Sequence, residues 1–447
     1  MLAPIRQVSH CARHILHVSL VLIFLTPGIR ADAADTQVAY TFSGSDSGGV
    51  ALIDVDLQTK RLLASRLAFD HPDCRQPTKV RQNADGSLLA CLNVAEKGPH
   101  LFVWNRVAGG EPQSLVLPSI PDELRIVDNT RAIITCEDSV VFVDLQELTV
   151  LHNDEIEQTL DPPGASPEDI CLLPGNKHAV VSLQKDSKSG SKRGNRLVIY
   201  DLETFEHIAD LQLPREHPEL HFADNKREQG PGPEIVTISP SHDALMVTLD
   251  LYGAVGFSKL STITTDSPIK WRLVRTSLDN SWGTSFPDRG QLMTLGDRDY
   301  YLVCNAGPRG GSVLIDVAEQ RIAWRHALPP GMETPVFFPK YNRAVTVCSG
   351  KTKRRAKDEV EKSWTPQQSV YAINFSPTEM AQSRVQSIHM PGFSQRIASV
   401  DGSSSLALVA CGQDALVADT LVLFDAERLV IVDHHRAIGT IQQFATK

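Results

Sequence analysis

From Val38 onward the chain alternates short apolar stretches with polar turns, and one phrase recurs. An apolar strand ends in Asp or Asn, and a tight turn follows at once. The phrase reads Val50–Asp56, Leu101–Asn105, Val140–Asp144, Leu197–Asp201, Val313–Asp316, Val370–Asn374 and Leu421–Asp425, with a weaker instance at Ala254–Ser258. An Asp or Asn side chain in that place can accept from the backbone two residues on and start the turn. Another apolar strand precedes it, entered through turns such as Asn83-Ala84-Asp85-Gly86 and Pro174-Gly175-Asn176-Lys177. These strands read Leu88–Cys91, Ala179–Ser182, Leu245–Thr248, Tyr301–Cys304, Ala344–Cys348 and Leu406–Cys411. No segment sustains the 3.6-residue apolar period of an amphipathic helix.

Short strands in groups of four, repeating roughly every fifty residues, predict an all-β chain folded as a β-propeller. Eight four-stranded units can be counted; seven is the alternative, since the weak unit at Ala254–Ser258 carries the difference. The first unit lacks an innermost strand before Val38. The tail Ile438–Phe444 is expected to supply it and close the ring, which removes the free edges of an open array. The paired phrase resembles the YVTN-type β-propeller repeat family over nearly all of the chain beyond its N-terminal segment, without spelling the namesake tetrapeptide. That resemblance implies a propeller in an extracytoplasmic setting. It does not choose among the binding proteins, surface proteins and lactone hydrolases of that broad group.

Residues 1–33 read as a cleavable export signal, leaving 34–447 as the propeller. Arg6 and Arg13 precede the apolar run Val18–Leu25, and Ala31-Asp32-Ala33 offers small residues for cleavage after about Ala33. The run is too short for a bilayer span, which needs ~20 residues. The expected product is exported, periplasmic or secreted, without a membrane span, and monomeric. Gly and Pro usage is ordinary for a globular chain, which excludes collagen and low-complexity disorder. The formal charge of −9 becomes −11 once the three arginines and one aspartate of the first 33 residues are set aside. A chain so acidic lacks the footprint of a nucleic-acid binder. Of eight cysteines, Cys11 falls in the leader; the remaining seven are odd in number, so at least one thiol is unpaired.

The chain spends its extra residues on one kind of connection: between second and third strands, and between blades. The long segments are 153–166, 184–195, 214–232, 276–290 and 350–367. Topology puts all of them on one face of a propeller, and long loops are where function concentrates. The basic run Lys351–Lys357, followed by acids, reads as a solvated charged loop or as a docking patch for an acidic partner or polysaccharide.

The channel mouth on that face should take its polar residues from the starts of first strands and the ends of second ones. These are Gln76, Asn93, Glu168, Glu234, Asp250, Asn305, Glu333, Gln395 and Arg396. The densest group of metal-capable side chains is His217, Glu219, His221 and Asp224, a possible divalent-metal loop whose more ordinary reading is a hydrogen-bonded turn. No nucleophile elbow, zinc-protease helix, dinucleotide loop or EF-hand loop is present. The expectation is an exported binding protein without catalytic residues or cofactor, whose ligand is a protein, a glycan or a small molecule. The alternative is a metal-dependent, lactonase-like hydrolase in which Glu168, Glu234, Asp250 and Glu333 hold the ion.

Overall fold

The recurrent Asp or Asn folds each third strand back as its side chain allows. Asp144 Oδ1 accepts from the N–H groups of Gln146 and Glu147, both at 2.8 Å. Asp201 does the same for Glu203 and Thr204 at 2.8 Å, and Asn105 for Val107 and Ala108 at 3.0 Å. Four residues past the acid the backbone turns left-handed, with φ of 50° at Leu148, 64° at Phe205, 49° at Gln320 and 60° at Leu429. That conformation costs a residue with a Cβ about 1–2 kcal/mol, offset by the turn's hydrogen bonds and by the hairpin it sets in register.

The computed structural model describes residues 36–94, 98–156, 165–186, 193–214, 230–265, 269–283, 285–307, 311–350, 367–402, 404–414 and 417–445. Among these, the strands form eight four-stranded antiparallel sheets, the blades of a closed β-propeller. Blades two to eight each run through four consecutive strands. Their innermost strands are β4 (Pro77–Gln82), β8 (Pro121–Ile126), β12 (Ala165–Leu172), β16 (Pro233–Ser239), β20 (Pro287–Leu295), β24 (Val336–Phe338) and β28 (Phe393–Ser399). The weak unit is a full blade, so the count is eight rather than seven.

The first blade is assembled from both ends of the described chain. Its inner strand is β32 (Thr440–Phe444), paired antiparallel with β1 (Thr36–Ser43) as Tyr40↔Phe444, Thr41↔Gln443, Phe42↔Ile441 and Ser43↔Thr440. The seam is tied on both sides. The Ile441 N–H donates to Ala418 O at 2.7 Å, in blade eight, and the Ala445 N–H to Ala39 O at 2.8 Å. Gly439, with φ of 65°, leaves no room for a side chain: a Cβ there would lie 2.7 Å from Phe42 Cδ2 and 2.8 Å from Ser43 O.

The core is not central but lies between blades. One buried layer joins Tyr40, Phe42 and Ile53 to Leu408, Leu421 and Leu423, across the first and eighth blades. Others repeat the arrangement around the ring, as between the fourth and fifth, where Leu197 and Ile199 meet Leu245 and Leu249. Each buried aliphatic side chain contributes about 1.5–3 kcal/mol, so every blade depends on both neighbours.

Five cysteines, Cys91, Cys136, Cys304, Cys348 and Cys411, lie at or near the ends of second strands as read from the sequence, but not all at one register position; Cys171 is in an inner strand and Cys74 precedes one. Cys136, Cys348 and Cys411 each pair with the residue just before the irregularity that opens their blade's inner strand: Pro121, Met332 and Ser394. Cys304 lies one residue earlier than that position, which turns it to the opposite face of its sheet. Cys304 and Cys348 accordingly meet in one buried cluster between the sixth and seventh blades. All seven described cysteines are free thiols.

Candidate functional site at the channel mouth

The inner strands open on a repeated irregularity. In blades two to six a proline pairs with the end of the second strand, and then the ladder slips: Pro77↔Asn93, Pro121↔Cys136, Pro167↔Leu183, Pro233↔Leu249 and Pro287↔Asn305. A proline suits this place because it has no N–H to give to a ladder about to break. The slip is a β-bulge, and a bulge re-aims the side chain at its apex. The seventh blade repeats the pattern with the bridge Met332↔Cys348 ahead of β24. The eighth and first do so at Ser394/Arg396 and Thr41/Phe42. The apex residues, in blade order from the second, are Thr78, Asp122, Glu168, Glu234, Asp288, Glu333, Gln395 and Gln442. Five consecutive blades, the third to the seventh, thus offer a carboxylate at one equivalent position of the mouth.

Hydroxyls in the otherwise apolar second strands hold these bulges. Thr135 Oγ1 accepts from the Glu123 N–H at 3.0 Å and donates to Glu168 O, in the next blade, at 3.4 Å. Ser182 Oγ accepts from the Asp169 N–H at 3.0 Å and donates to Glu234 O at 2.6 Å, again one blade on. Thr346 Oγ1 donates to Glu333 O at 2.8 Å. Thr135, Ser182 and Thr346 are fully buried. Loss of either bond would strand a buried polar group, at about 1–3 kcal/mol.

The residue after the apex builds a charge network on one side of the channel. Glu123 is held by Lys79 at 3.0 Å, by Arg125 at 2.8 Å and by Arg81. Arg125 reaches on to Asp169 at 3.2 Å, whose other oxygen accepts from the Val236 N–H at 3.0 Å. Arg81 Nε and Arg125 Nε each donate 3.0 Å across a blade boundary, to Leu124 O and Ile170 O. Burial pushes the Glu123 carboxyl up, but Arg125, Lys79 and Arg81 outweigh it and hold the group below the usual range. Asp169 goes the other way: burial raises it more than Arg125 lowers it.

The opposite side is more open. Glu333 accepts from Arg396 and, at 2.6 Å, from Ser349 Oγ, and Arg396 Nε donates to Gln442 O at 3.2 Å. Arg289 is held by Asp288 at 3.0 Å; Asp288, Glu333, Glu234 and Glu168 together push its guanidinium further up. Between these groups sits Glu234, only 6% exposed. Burial raises its carboxyl well above the ordinary 4.5, and the charges of Asp288, Glu168 and Asp250 raise it further.

Glu168 and Asp250 thus lie close enough for their charges to act on Glu234, and Glu333 and Arg396 form an ion pair between the seventh and eighth blades. The structure adds Asp122, Asp288 and Arg289, which sequence reading passed over. Their signal was there: an acid follows a proline at the start of four successive inner strands. Gln76 is exposed, and its N–H donates to Asn93 Oδ1 at 2.8 Å. Asn93 and Asn305 are fully buried and tie loops instead. Asn93 Nδ2 donates to Asp73 O at 2.9 Å, and Asn305 Nδ2 to Thr276 O at 3.0 Å. Gln395 lies beside Arg396 at the eighth bulge. His217, Glu219, His221 and Asp224 lie outside the described residues, as do Lys351–Lys357. Among the described residues no three His, Cys, Asp or Glu side chains are grouped to hold a metal ion.

Solved structures agree on the architecture. The chain is similar to the dihydro-heme d1 dehydrogenase NirN, at 13% identity over 94% of this chain and 76% of that one, with a TM-score of 0.65. It is similar to the periplasmic gluconolactonase PpgL of Pseudomonas aeruginosa, at 10% identity over 92% and 98% of the two chains (TM-score 0.50). It is likewise similar to BamB of Moraxella catarrhalis, at 11% identity over 87% and 93% (TM-score 0.50). At such identities the likeness shows the β-propeller fold alone. No family model matches the chain, so the YVTN-type resemblance stands only at the level of the fold. No curated protein matches it either. No helix among the described residues is long and apolar enough to cross a membrane.

Proposed function

We propose that this chain is an exported β-propeller binding protein that seats its ligand at the channel mouth, on the face carrying the long connections. The observation that carries this reading is the run of apex carboxylates, Asp122, Glu168, Glu234, Asp288 and Glu333, in five consecutive blades. A stack of blades needs no acid there for stability; like charges on neighbouring bulges repel one another. Export rests on the basic and apolar leader of residues 1–33, and the structural neighbour named as periplasmic is compatible with it.

The test is a thermal-shift screen of small molecules, sugars and basic peptides against the parent and the E168Q/E234Q/E333Q variant. Ligands that stabilise the parent and not the folded variant support the reading. Hits of equal affinity for both would place binding elsewhere and overturn it. Gluconolactone turnover by the parent, lost in the variant, would replace the binding reading with the lactonase-like one.

A further inference from the structure

The buried thiols of the sixth, seventh and eighth blades are spent on oxygen. Cys304 Sγ lies 3.5 Å from Ser312 Oγ, Cys348 Sγ donates to Pro330 O at 2.7 Å, and Cys411 Sγ lies 3.8 Å from Ser394 Oγ. Cys74 and Cys91 are arranged differently. Cys74 stands in the connection that crosses from β3 (Arg61–His71), the outer strand of the first blade, to β4; Cys91 stands in β5 (Leu88–Asn93) of the second. The Asn93 side chain clamps that connection onto the end of β5. Its Nδ2 donates to Asp73 O at 2.9 Å and its Oδ1 accepts from the Gln76 N–H at 2.8 Å. The Val94 N–H adds a bond to Gln76 O at 3.1 Å. Cys74 is held inside the clamped stretch. Cys91 is two residues back along β5 from Asn93, so its side chain leaves the same face of the sheet. Both cysteines are fully buried in one apolar cluster between the two blades, with Val50, Phe69 and Phe102. The Cys91 thiol, 3.6 Å from Leu92 O, is there also in hydrogen-bond contact with that of Cys74.

We propose that Cys74 and Cys91 are the pair that closes to a disulfide as the chain folds in an oxidising compartment. This rests on the export proposed above, which supplies that compartment. A bridge needs two cysteines a few ångströms apart with their side chains turned toward each other. A loop clamped over a strand, with both sulfurs in the layer beneath, meets that need. Each thiol gives up its hydrogen and the S–S bond forms. The two electrons and two protons pass to a disulfide oxidant, protein or glutathione, whose own S–S bond is reduced to two thiols. The exchange belongs to folding rather than to the folded state. Once the clamp is closed neither cysteine meets solvent, whereas exchange needs an accessible thiolate. The finished bond is shielded from reductants in the same way. Its consequence is mechanical. The first blade is assembled from both ends of the described chain, and the bridge staples the exit from its outer strand to the second blade, independently of β32.

The test is alkylation of the full chain, produced with its leader in a bacterial host, quenched in acid and treated with N-ethylmaleimide in denaturant. Intact mass then reports both whether residues 1–33 have been removed and how many thiols react. Of the seven cysteines beyond the leader, five should react before reduction and all seven after it. A non-reducing peptide map should show Cys74 linked to Cys91. C91S should leave six reactive thiols and no disulfide, and C74S the same; the count is read in denaturant, so it does not depend on either variant folding. Seven reactive thiols in a chain that has lost its leader overturn the pairing while export stands. So does a link from Cys74 or Cys91 to any other cysteine, or a disulfide that persists in C91S. A chain that keeps its leader counts against export instead. The pairing is then decided by refolding the purified chain from denaturant with oxidised glutathione: the same link supports it, and free thiols at both positions overturn it.

Discussion

Deleting residues 437–447 should dismantle the ring rather than trim it. The cut removes β32, whose Ile441 and Phe444 are 3% and 2% exposed. Emptying an Ile site costs about 2–5 kcal/mol and a Phe site about 3–5 kcal/mol. The loss is therefore about 5–10 kcal/mol before any hydrogen bond is counted, against a total stability of about 5–15 kcal/mol for most folded domains. It also bares the edge of β1 along Tyr40–Ser43, a template for pairing with other chains. Urea denaturation followed by circular dichroism, with light scattering on the native sample, reads both effects. The truncated chain should unfold at a far lower midpoint and self-associate. Two milder changes grade the result. F444A should cost about 3–5 kcal/mol. G439A should cost at least the ~1–2 kcal/mol of a left-handed residue with a Cβ, plus the clash with Phe42. A truncated chain that stays monomeric with an unchanged midpoint would refute the closure argument.

Replacing Glu123 by Gln should lower stability by about 3–5 kcal/mol, since it leaves Lys79, Arg81 and Arg125 facing one another without their shared anion; thermal melting checks it. Glu234 should act in the opposite sense. Below the ordinary carboxyl range both folded and unfolded chains hold its proton, and it contributes nothing. As pH rises past 4.5 the unfolded chain ionises first, so the folded state loses ground. E234Q should therefore match the parent at pH 4 and melt higher at pH 8; equal melting at both would contradict the burial argument. The thiols should be inert in the native state: burial pushes Cys136, Cys171, Cys348 and Cys411 up to about 12, and Cys304 to about 11. Thiol titration at pH 8 should find few reactive groups before denaturation and at least five after it.

The blades were legible because each carries its own local code. An apolar run ending in Asp, as at Val140–Asp144, states both a strand and the turn that ends it. Closure was legible because Val38–Phe42 had no inner partner and Thr440–Phe444 had no blade of its own. What stayed hidden depends on register and on neighbours. Asp288 and Glu234 are more than fifty residues apart in sequence, and only the geometry of adjacent bulges sets their carboxyls against each other. Asn93 and Asn305 look like mouth residues by position, yet their amides are spent on loop carbonyls, which no strand pattern announces. The bridging hydroxyls of Thr135 and Ser182 read as ordinary β-strand residues until the next blade supplies the carbonyl.

The seam in the first blade also fixes which way the molecule faces. β32 begins at the mouth, as every inner strand does, and ends at Phe444 on the far side of the ring. β1 begins on that same far side, at Thr36, and runs toward the mouth. The described chain thus enters and leaves through the back of the propeller, beside the short turns. Anything joined close to Thr36 or Ala445 holds the ring by its rear, and the acidic opening looks away from it. Attachment close to Thr36 or Ala445, on a sensor chip or a bead, leaves the channel mouth turned toward the solution.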